Sequence, residues 1–319
     1  MAMPVPSGVL PVGPSPYVTP GILTQAPLGV AWDSIPPYKG VTEAQRLAEQ
    51  ANICARATAL VDGCCAQPLR ATTDALVLYG PGARVGARDD GPAELILKRW
   101  PVLEIVSVQV ARNCLPYVWT PVPAGMCWIK NPVSGLYGSV APVAAAEGGQ
   151  AILVSSRYVN WRYGPGGTAI EVQYVNGWPH CGITAAVAAG ATQVQVDDCT
   201  GWAVTNPLTG LTGATGTVYD AGNQEVVQVA AVSAAAGPGT LTLASPLQSR
   251  HAAGTMLSAL PQDVVWAAAL LAAAQALTRG ATSTTVLQAP GSKSSGGADR
   301  AMSLTKQAKA ILAPFARII

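Results

Sequence analysis

The sequence predicts an α+β protein: a small helical core joined to a β region, with an all-β module inserted between a strand and a helix of that core. Three observations lead there. Residues 42–62 and 262–279 carry helical patterns. Residues 69–178 read as strands and turns. Between that β region and the second helix, residues 180–260 hold short strands at regular spacing with glycine turns, the pattern of a small all-β unit. The expected order begins with an extended proline-rich arm (1–41) and the first segment of the core, a helix with the β region (42–179). The inserted module (180–260) and the second segment of the core, the Ala-rich helix (261–280), come next. A Ser/Gly/Thr loop (281–297) and a basic C-terminal helix with its tail (298–319) complete the chain.

The arm is rich in proline, and its only charges are Asp33 and Lys39. Proline removes a backbone donor and fixes φ, so neither a helix nor a central strand is expected. Tyr17, Ile22, Leu23, Leu28, Val30, Trp32, Ile35 and Tyr38 are too apolar for a solvated linker. The expectation is an extended arm lying on another surface.

Thr42 with Gln45 makes a capping box at the start of the first helix. Leu47, Ala51, Cys54, Thr58 and Val61 trace its apolar stripe, and Gly63 is expected to end it. The β region follows. Residues 94–111 predict two strands meeting at Trp100-Pro101, and 122–132, 150–156 and 168–179 predict three more. In the last, Ile170, Val172 and Tyr174 alternate with Glu171, Gln173 and Val175, up to the turn at Asn176-Gly177.

In the inserted module Val194 and Val196 alternate, residues 216–233 read as a hairpin around Ala221-Gly222-Asn223, and 239–247 and 252–260 are two short strands. The stretch from Val264 to Leu277 then contains one polar side chain, Gln275, and no charge. At 1.5 Å per residue its 14 residues span about 21 Å, short of the ~30 Å of a bilayer core. Pro261 and Asp263 start a helix, and Arg279-Gly280 stop it. Its alanines let another backbone come close. Either the helix is wholly core, or it packs in the subunit on one face and on a neighbour on the other. Trp266, Ala267, Leu270, Leu271 and Ala274 are the candidate subunit-packing residues.

In the C-terminal helix Met302, Leu304, Ala308, Ile311 and Leu312 form the apolar set. From Ser292 to Ile319, Lys293, Arg300, Lys306, Lys309 and Arg317 stand against Asp299 alone, a local charge of +4.

Charged residues are 11% of the chain, against the ~25% usual for soluble domains. Assembly into a larger object would cover such a surface. The net charge of +2 argues against a dedicated nucleic-acid binder. No basic start and continuous apolar run marks a signal peptide. The seven cysteines lack CxxC spacing and have two histidines for company, so no metal cluster is expected and the cysteines read as reduced, buried thiols. A Cys181–Cys199 bridge is conceivable. The Gly-rich stretches 80–86 and 164–167 open no helix and read as turns. His180 beside Cys181 reads as a turn histidine, and Asp197-Asp198 as a solvated turn. No cofactor and no catalytic residue is expected.

Three segments carry a resemblance. They are "LKRWPVLEIVSVQV", of the form L-x-x-x-P-[VI]-x-x-[VI]-x-x-V; the strand end Tyr174, Gly177, Trp178 and Pro179, of the form Y-x-x-G-[WY]-P; and the helix start Pro261, Asp263, Val264 and Ala267. In this order the chain resembles the head-to-tail adaptor (head completion, connector) proteins of tailed bacteriophages, particularly those of actinobacterial hosts. The likeness covers residues 42–112 and 168–280; the module at 180–260 departs from the simplest adaptors.

The resemblance implies a structural virion protein in the neck, assembled in the host cytoplasm. It implies a ring, usually of twelve copies, bound under the portal protein, closing the head after packaging and meeting the next neck or tail-completion protein. Genomic DNA would pass through unread, as a near-neutral lumen suits. The arm would clasp a neighbour. Lys306, Lys309 and Arg317 would meet portal carboxylates, and Leu312, Phe315, Ile318 and Ile319 an apolar groove. Three alternatives stand beside this: a tail terminator or decoration protein, a carbohydrate- or adhesin-type binding module, and a hydrolase using Cys181 and His180.

Overall fold

The computed structural model describes residues 14–26, 28–35, 40–79, 93–97, 99–112, 115–130, 151–155, 168–203, 213–220, 222–278 and 297–316. It is an α+β chain with four helices, two small antiparallel sheets and a barrel among these residues. The expected turns at 80–86 and 164–167, the loop 281–296 and the tail 317–319 lie outside them.

The helical core is built by α1 (Pro20–Gln25), α2 (Glu43–Cys65), α3 (Gln262–Thr278) and α4 (Gly297–Leu312). The arm does contain a helix, contrary to expectation. Pro20 sits at its first turn, where the missing N–H would have no partner anyway, and Thr19 caps it. The described arm lies on its own subunit. Tyr17, Val18, Leu23, Leu28, Trp32 and Ile35 are buried in the same cluster as α2 and α3. The Tyr17 N–H donates to Thr58 Oγ1 at 2.8 Å, and its phenol donates to Asp62 at 2.7 Å while accepting from the N–H groups of Leu69 and Arg70.

Thr42 and Gln45 form the expected capping box. The helix does not stop at Gly63. It continues to Cys65, whose burial rewards the extra turn, and ends at Ala66 in the left-handed conformation, φ 53°. The buried face is Gln50, Ile53, Cys54, Ala57, Thr58, Val61 and Cys65. Leu47, half exposed at 50%, and Ala51 lie off it. The arm sets this phase with polar groups: Gln50 Nε2 donates to the Trp32 carbonyl at 2.8 Å, and Thr58 holds Tyr17.

Strands β1 (Thr72–Tyr79), β7 (Thr168–Asn176), β3 (Val102–Arg112) and β4 (Thr120–Pro121) form one antiparallel sheet in the order β1-β7-β3-β4. Strands β2 (Ala93–Ile96), β6 (Ala151–Val154) and β5 (Cys127–Lys130) form a second, in the order β2-β6-β5. The two share one apolar cluster, with Leu95 and Ile152 of the small sheet against Val108, Ile170, Val172 and Tyr174 of the larger. Alternation on β7 sends Ile170, Val172 and Tyr174 into this cluster, while Val175 on the other face packs on the helices.

The third unit contains β8 (His180–Gly182), β9 (Gln193–Val196), β10 (Thr215–Tyr219), β11 (Glu225–Val232), β12 (Gly239–Leu243) and β13 (Met256–Ser258), in the order β8-β13-β10-β11-β12-β9. The two end strands meet: Ile183 bridges Val196, and the Asp197 N–H donates to the Gly182 carbonyl at 3.0 Å. The sheet thus closes as a six-stranded barrel, which removes its free edges. Val194, Val196, Val218, Val229, Leu241 and Leu257 fill it with Trp202. A Cβ on Gly216 would collide with the Trp202 ring, so this strand position needs glycine for a close approach.

Candidate functional site

The Ala-rich helix α3 is covered by its own chain almost all round. Of the five candidate packing residues, Ala267, Leu270, Leu271 and Ala274 are buried in the helical core, and Trp266 is 42% exposed. Each of the two leucines contributes roughly 1.5–3 kcal/mol by burial. A different helix presents the exposed alanines. Ala44, Ala48, Ala51, Ala55 and Ala59 are all exposed on α2, spaced by four, three, four and four residues, in a stripe that flanks its buried face. The sequence reading missed them, although the spacing is visible in the string once the capping box fixes the helix.

The C-terminal candidates divide in two. Lys306 and Lys309 are exposed on α4. Leu312 and Phe315 are buried in the chain's own core and are not a free docking surface. Arg317, Ile318 and Ile319 lie outside the described residues. The buried face of α4 is Ala301, Leu304, Ala308 and Leu312. Met302, expected in the apolar set, is 65% exposed, because a step from 301 to 304 reaches α3 and residue 302 turns away.

The three resembling segments converge on one junction between sheet and helices. The Gly177 N–H donates to the Pro101 carbonyl at 2.9 Å, and the Ala259 N–H donates to the Pro179 carbonyl at 2.8 Å, two residues before Pro261, which leads into α3. Trp178 exchanges backbone bonds with the chain leaving α2: its N–H donates to Leu69 and its carbonyl accepts from Ala71. Its ring stands edge-on to Trp100 at 5.8 Å and to Phe315 at 5.9 Å. Gln67 completes the junction, donating to the Phe315 carbonyl at 3.1 Å and accepting from the Trp100 N–H at 3.4 Å. The end of α4 is therefore fastened where strand β7, the start of β3 and the end of α2 meet.

His180 is not a turn residue. It lies buried in β8, with Nδ1 2.9 Å from Ser258 Oγ and Nε2 3.0 Å from the Ser15 carbonyl. A carbonyl only accepts, so Nε2 carries the proton and Nδ1 accepts from the serine. Burial pushes this imidazole down to about 4. Burial pushes the neighbouring Cys181 thiol well up. Both shifts oppose the thiolate–imidazolium pair that a cysteine nucleophile uses. Cys181 and Cys199 are free thiols, without the conceivable bridge.

Asp197 and Asp198 are not a solvated turn. Asp197 accepts from Ser15 Oγ and the Gly182 N–H, both at 2.6 Å, and Asp198 accepts from Thr200 Oγ1 at 2.6 Å and from the N–H groups of Thr200 and Gly237. They tie the arm and the loops to the barrel. A further cluster, unmarked by the sequence, centres on buried His251, between Asp220 at 3.1 Å and Glu225 at 2.7 Å. Burial acts to raise Glu225, but the N–H groups of Gln248 and Ser249 and the His251 ring outweigh it and leave the carboxyl below its usual range. Among the described residues no group of three or more His, Cys, Asp or Glu side chains is arranged so that it could hold a metal ion, and no helix is long and apolar enough to cross a membrane.

No protein-family model matches the chain, and no curated protein does. A solved structure described as the neck of an empty GTA particle, computed with C6 symmetry, aligns at 15% identity over 90% of this chain and 91% of that one, with a TM-score of 0.30. At that score a common fold is not established, and no role is drawn from it.

Proposed function

We propose that the chain is the repeating subunit of a head-to-tail adaptor ring in the neck of a tailed-phage particle. It would sit under the portal protein, meet the next neck or tail-completion protein on its other side, and let DNA pass unread. The observation that carries the reading is the junction around Trp178. The three segments by which the sequence resembles adaptors lie far apart in the chain, yet a backbone hydrogen bond from Gly177 to Pro101 joins two of them, and the third begins two residues after Ala259, which donates to Pro179. Chance matches scattered along a chain have no reason to meet.

The surface supports assembly. An exposed alanine stripe runs along α2 from Ala44 to Ala59, beside Asn52 and Arg56, and Trp266 stands exposed on α3. At both places a neighbouring copy can cover apolar surface without disturbing the core. Portal docking falls to Lys306 and Lys309 with Arg317, Ile318 and Ile319, since Leu312 and Phe315 are already used inside. The role is structural rather than catalytic: the shifts of His180 and Cys181 run against nucleophile chemistry, and Asp197 and Asp198 accept bonds that hold Ser15, Gly182, Thr200 and Gly237 in place.

The test is native mass spectrometry of the purified chain, alone and with portal. A portal-bound ring of about a dozen copies is expected. Deletion of 317–319 together with Lys306→Glu and Lys309→Glu is expected to release portal while the melting temperature stays unchanged. A monomer indifferent to portal overturns the reading.

A further inference from the structure

We propose that the groove beside Trp266 receives the proline-rich segment 4–13 of a second copy of this chain. The groove measures about 450 Å³ and is walled by three elements: Ile22 and Gln25 of α1, Tyr219 and Gln224 of the β10–β11 hairpin, and Gln262 and Trp266 of α3. Two aromatic side chains and three amides thus share one concave surface. Proline-rich chain docks on aromatic-lined grooves of this kind, because its rings pack on aromatic faces and its carbonyls, unused inside the segment, accept from nearby donors. Glutamine amides supply such donors.

Residues 1–13 match that chemistry. They contain Pro4, Pro6 and Pro11 with Val5, Val9, Leu10 and Val12, and no charged residue. Asp263, beside Trp266 in the same groove, therefore repels nothing in the segment, whereas it would disfavour a phosphate or an acidic peptide. The source is a second copy, because the ring reading brings copies of the chain together. In its own subunit the chain is pinned from Ser15 onward, by Asp197 and His180 at Ser15 and by Thr58 and Asp62 at Tyr17. Ten residues at ~3.1 Å each span up to roughly 30 Å, a length that can bridge from that pin to an adjoining copy. One arm entering one groove is a head-to-tail joint, the kind that closes into rings.

This inference deepens the ring reading but takes from it only that copies of the chain meet. The experiment uses three full chains: the protein itself, a deletion of residues 2–13, and Trp266→Ala, with Gln262→Ala as a milder exposed change. Size is followed by light scattering and native mass spectrometry. The parent is expected to associate, and each variant to associate at least ten-fold more weakly with an unchanged melting temperature. Mixing the arm deletion with Trp266→Ala is expected to restore a one-to-one pair, because one partner keeps a groove and the other keeps an arm. No pair on mixing, or a Trp266→Ala protein that associates like the parent, overturns the proposal. If pairs form but portal is ignored, the joint stands and the placement in the neck falls.

Discussion

Trp178 and Phe315 stand edge-on with ring centroids 5.9 Å apart, and the carbonyl of Phe315 is held by Gln67 Nε2 at 3.1 Å. Residues far apart in sequence thereby close the helical core on the sheet. Phe315→Ala is expected to cost about 3–5 kcal/mol, the usual range for a buried aromatic reduced to a methyl group. Removing all of 298–319 also strips Ala301, Leu304, Ala308 and Leu312 from the core and is expected to unfold it. Removing 317–319 alone should leave the urea midpoint in place. Equilibrium unfolding of the three variants checks the order.

Gly177 holds the same junction from the strand side. Its φ is +93°, and a Cβ there would collide with the carbonyl of Arg70. The left-handed conformation alone costs a residue with a side chain roughly 1–3 kcal/mol. Gly177→Ala is therefore expected to lower the melting temperature clearly, while Gly222→Ala, also at positive φ but with open space around it, should cost less. Calorimetry of the pair separates collision from conformational strain.

Much of the architecture is legible in the string. The capping box of Thr42 and Gln45, the alternation along Ile170, Val172 and Tyr174, the hairpin around Gly222 and the stop at Asn176 are local signals, and local signals survive folding. What the string does not reveal depends on distant partners. The expected stripe meets the buried face at Cys54, Thr58 and Val61 but leaves it at Leu47 and Ala51, because Trp32 recruits Gln50 there instead. The arm, expected on another surface, is drawn into its own core by Tyr17 and Leu23. His180 looks like a turn residue because nothing nearby announces Ser15 and Ser258. Of the candidate site, α3 is legible as a helix, but neither the cover over Ala267, Leu270, Leu271 and Ala274 nor the groove at Trp266 can be seen without the fold.

His180 predicts a pH dependence with a definite sign. In the folded chain burial holds its pKa at about 4, against 6.5 for the free side chain. As pH falls below 6.5 the unfolded chain takes up a proton that the folded chain refuses, so stability drops on acidification between 6.5 and 4. The full loss is on the order of 3 kcal/mol at 1.36 kcal/mol per unit. In His180→Gln that increment should vanish, leaving a flatter profile. Melting curves at about pH 7.5, 6 and 5 for both proteins test this; parallel profiles would show that the imidazole is not held neutral.

The two alanine-bearing helices should answer oppositely to substitution. Ala272 on α3 is fully buried, so Ala272→Leu must force extra volume into packed core, at a typical cost of about 1–3 kcal/mol. Ala55 on α2 faces outward, and a surface substitution of this kind usually changes stability by less than about 0.5 kcal/mol. Ala55→Arg should therefore melt like the parent. If the outer face of α2 is where copies approach, the same arginine keeps the helices apart, and the associated species disappears from the native mass spectrum. Ala272→Leu should do the reverse, melting earlier while still associating below its transition. An Ala55→Arg protein that associates normally would move the contact off the alanine stripe of α2, and the Trp266→Ala protein then tests the groove as the place where copies meet.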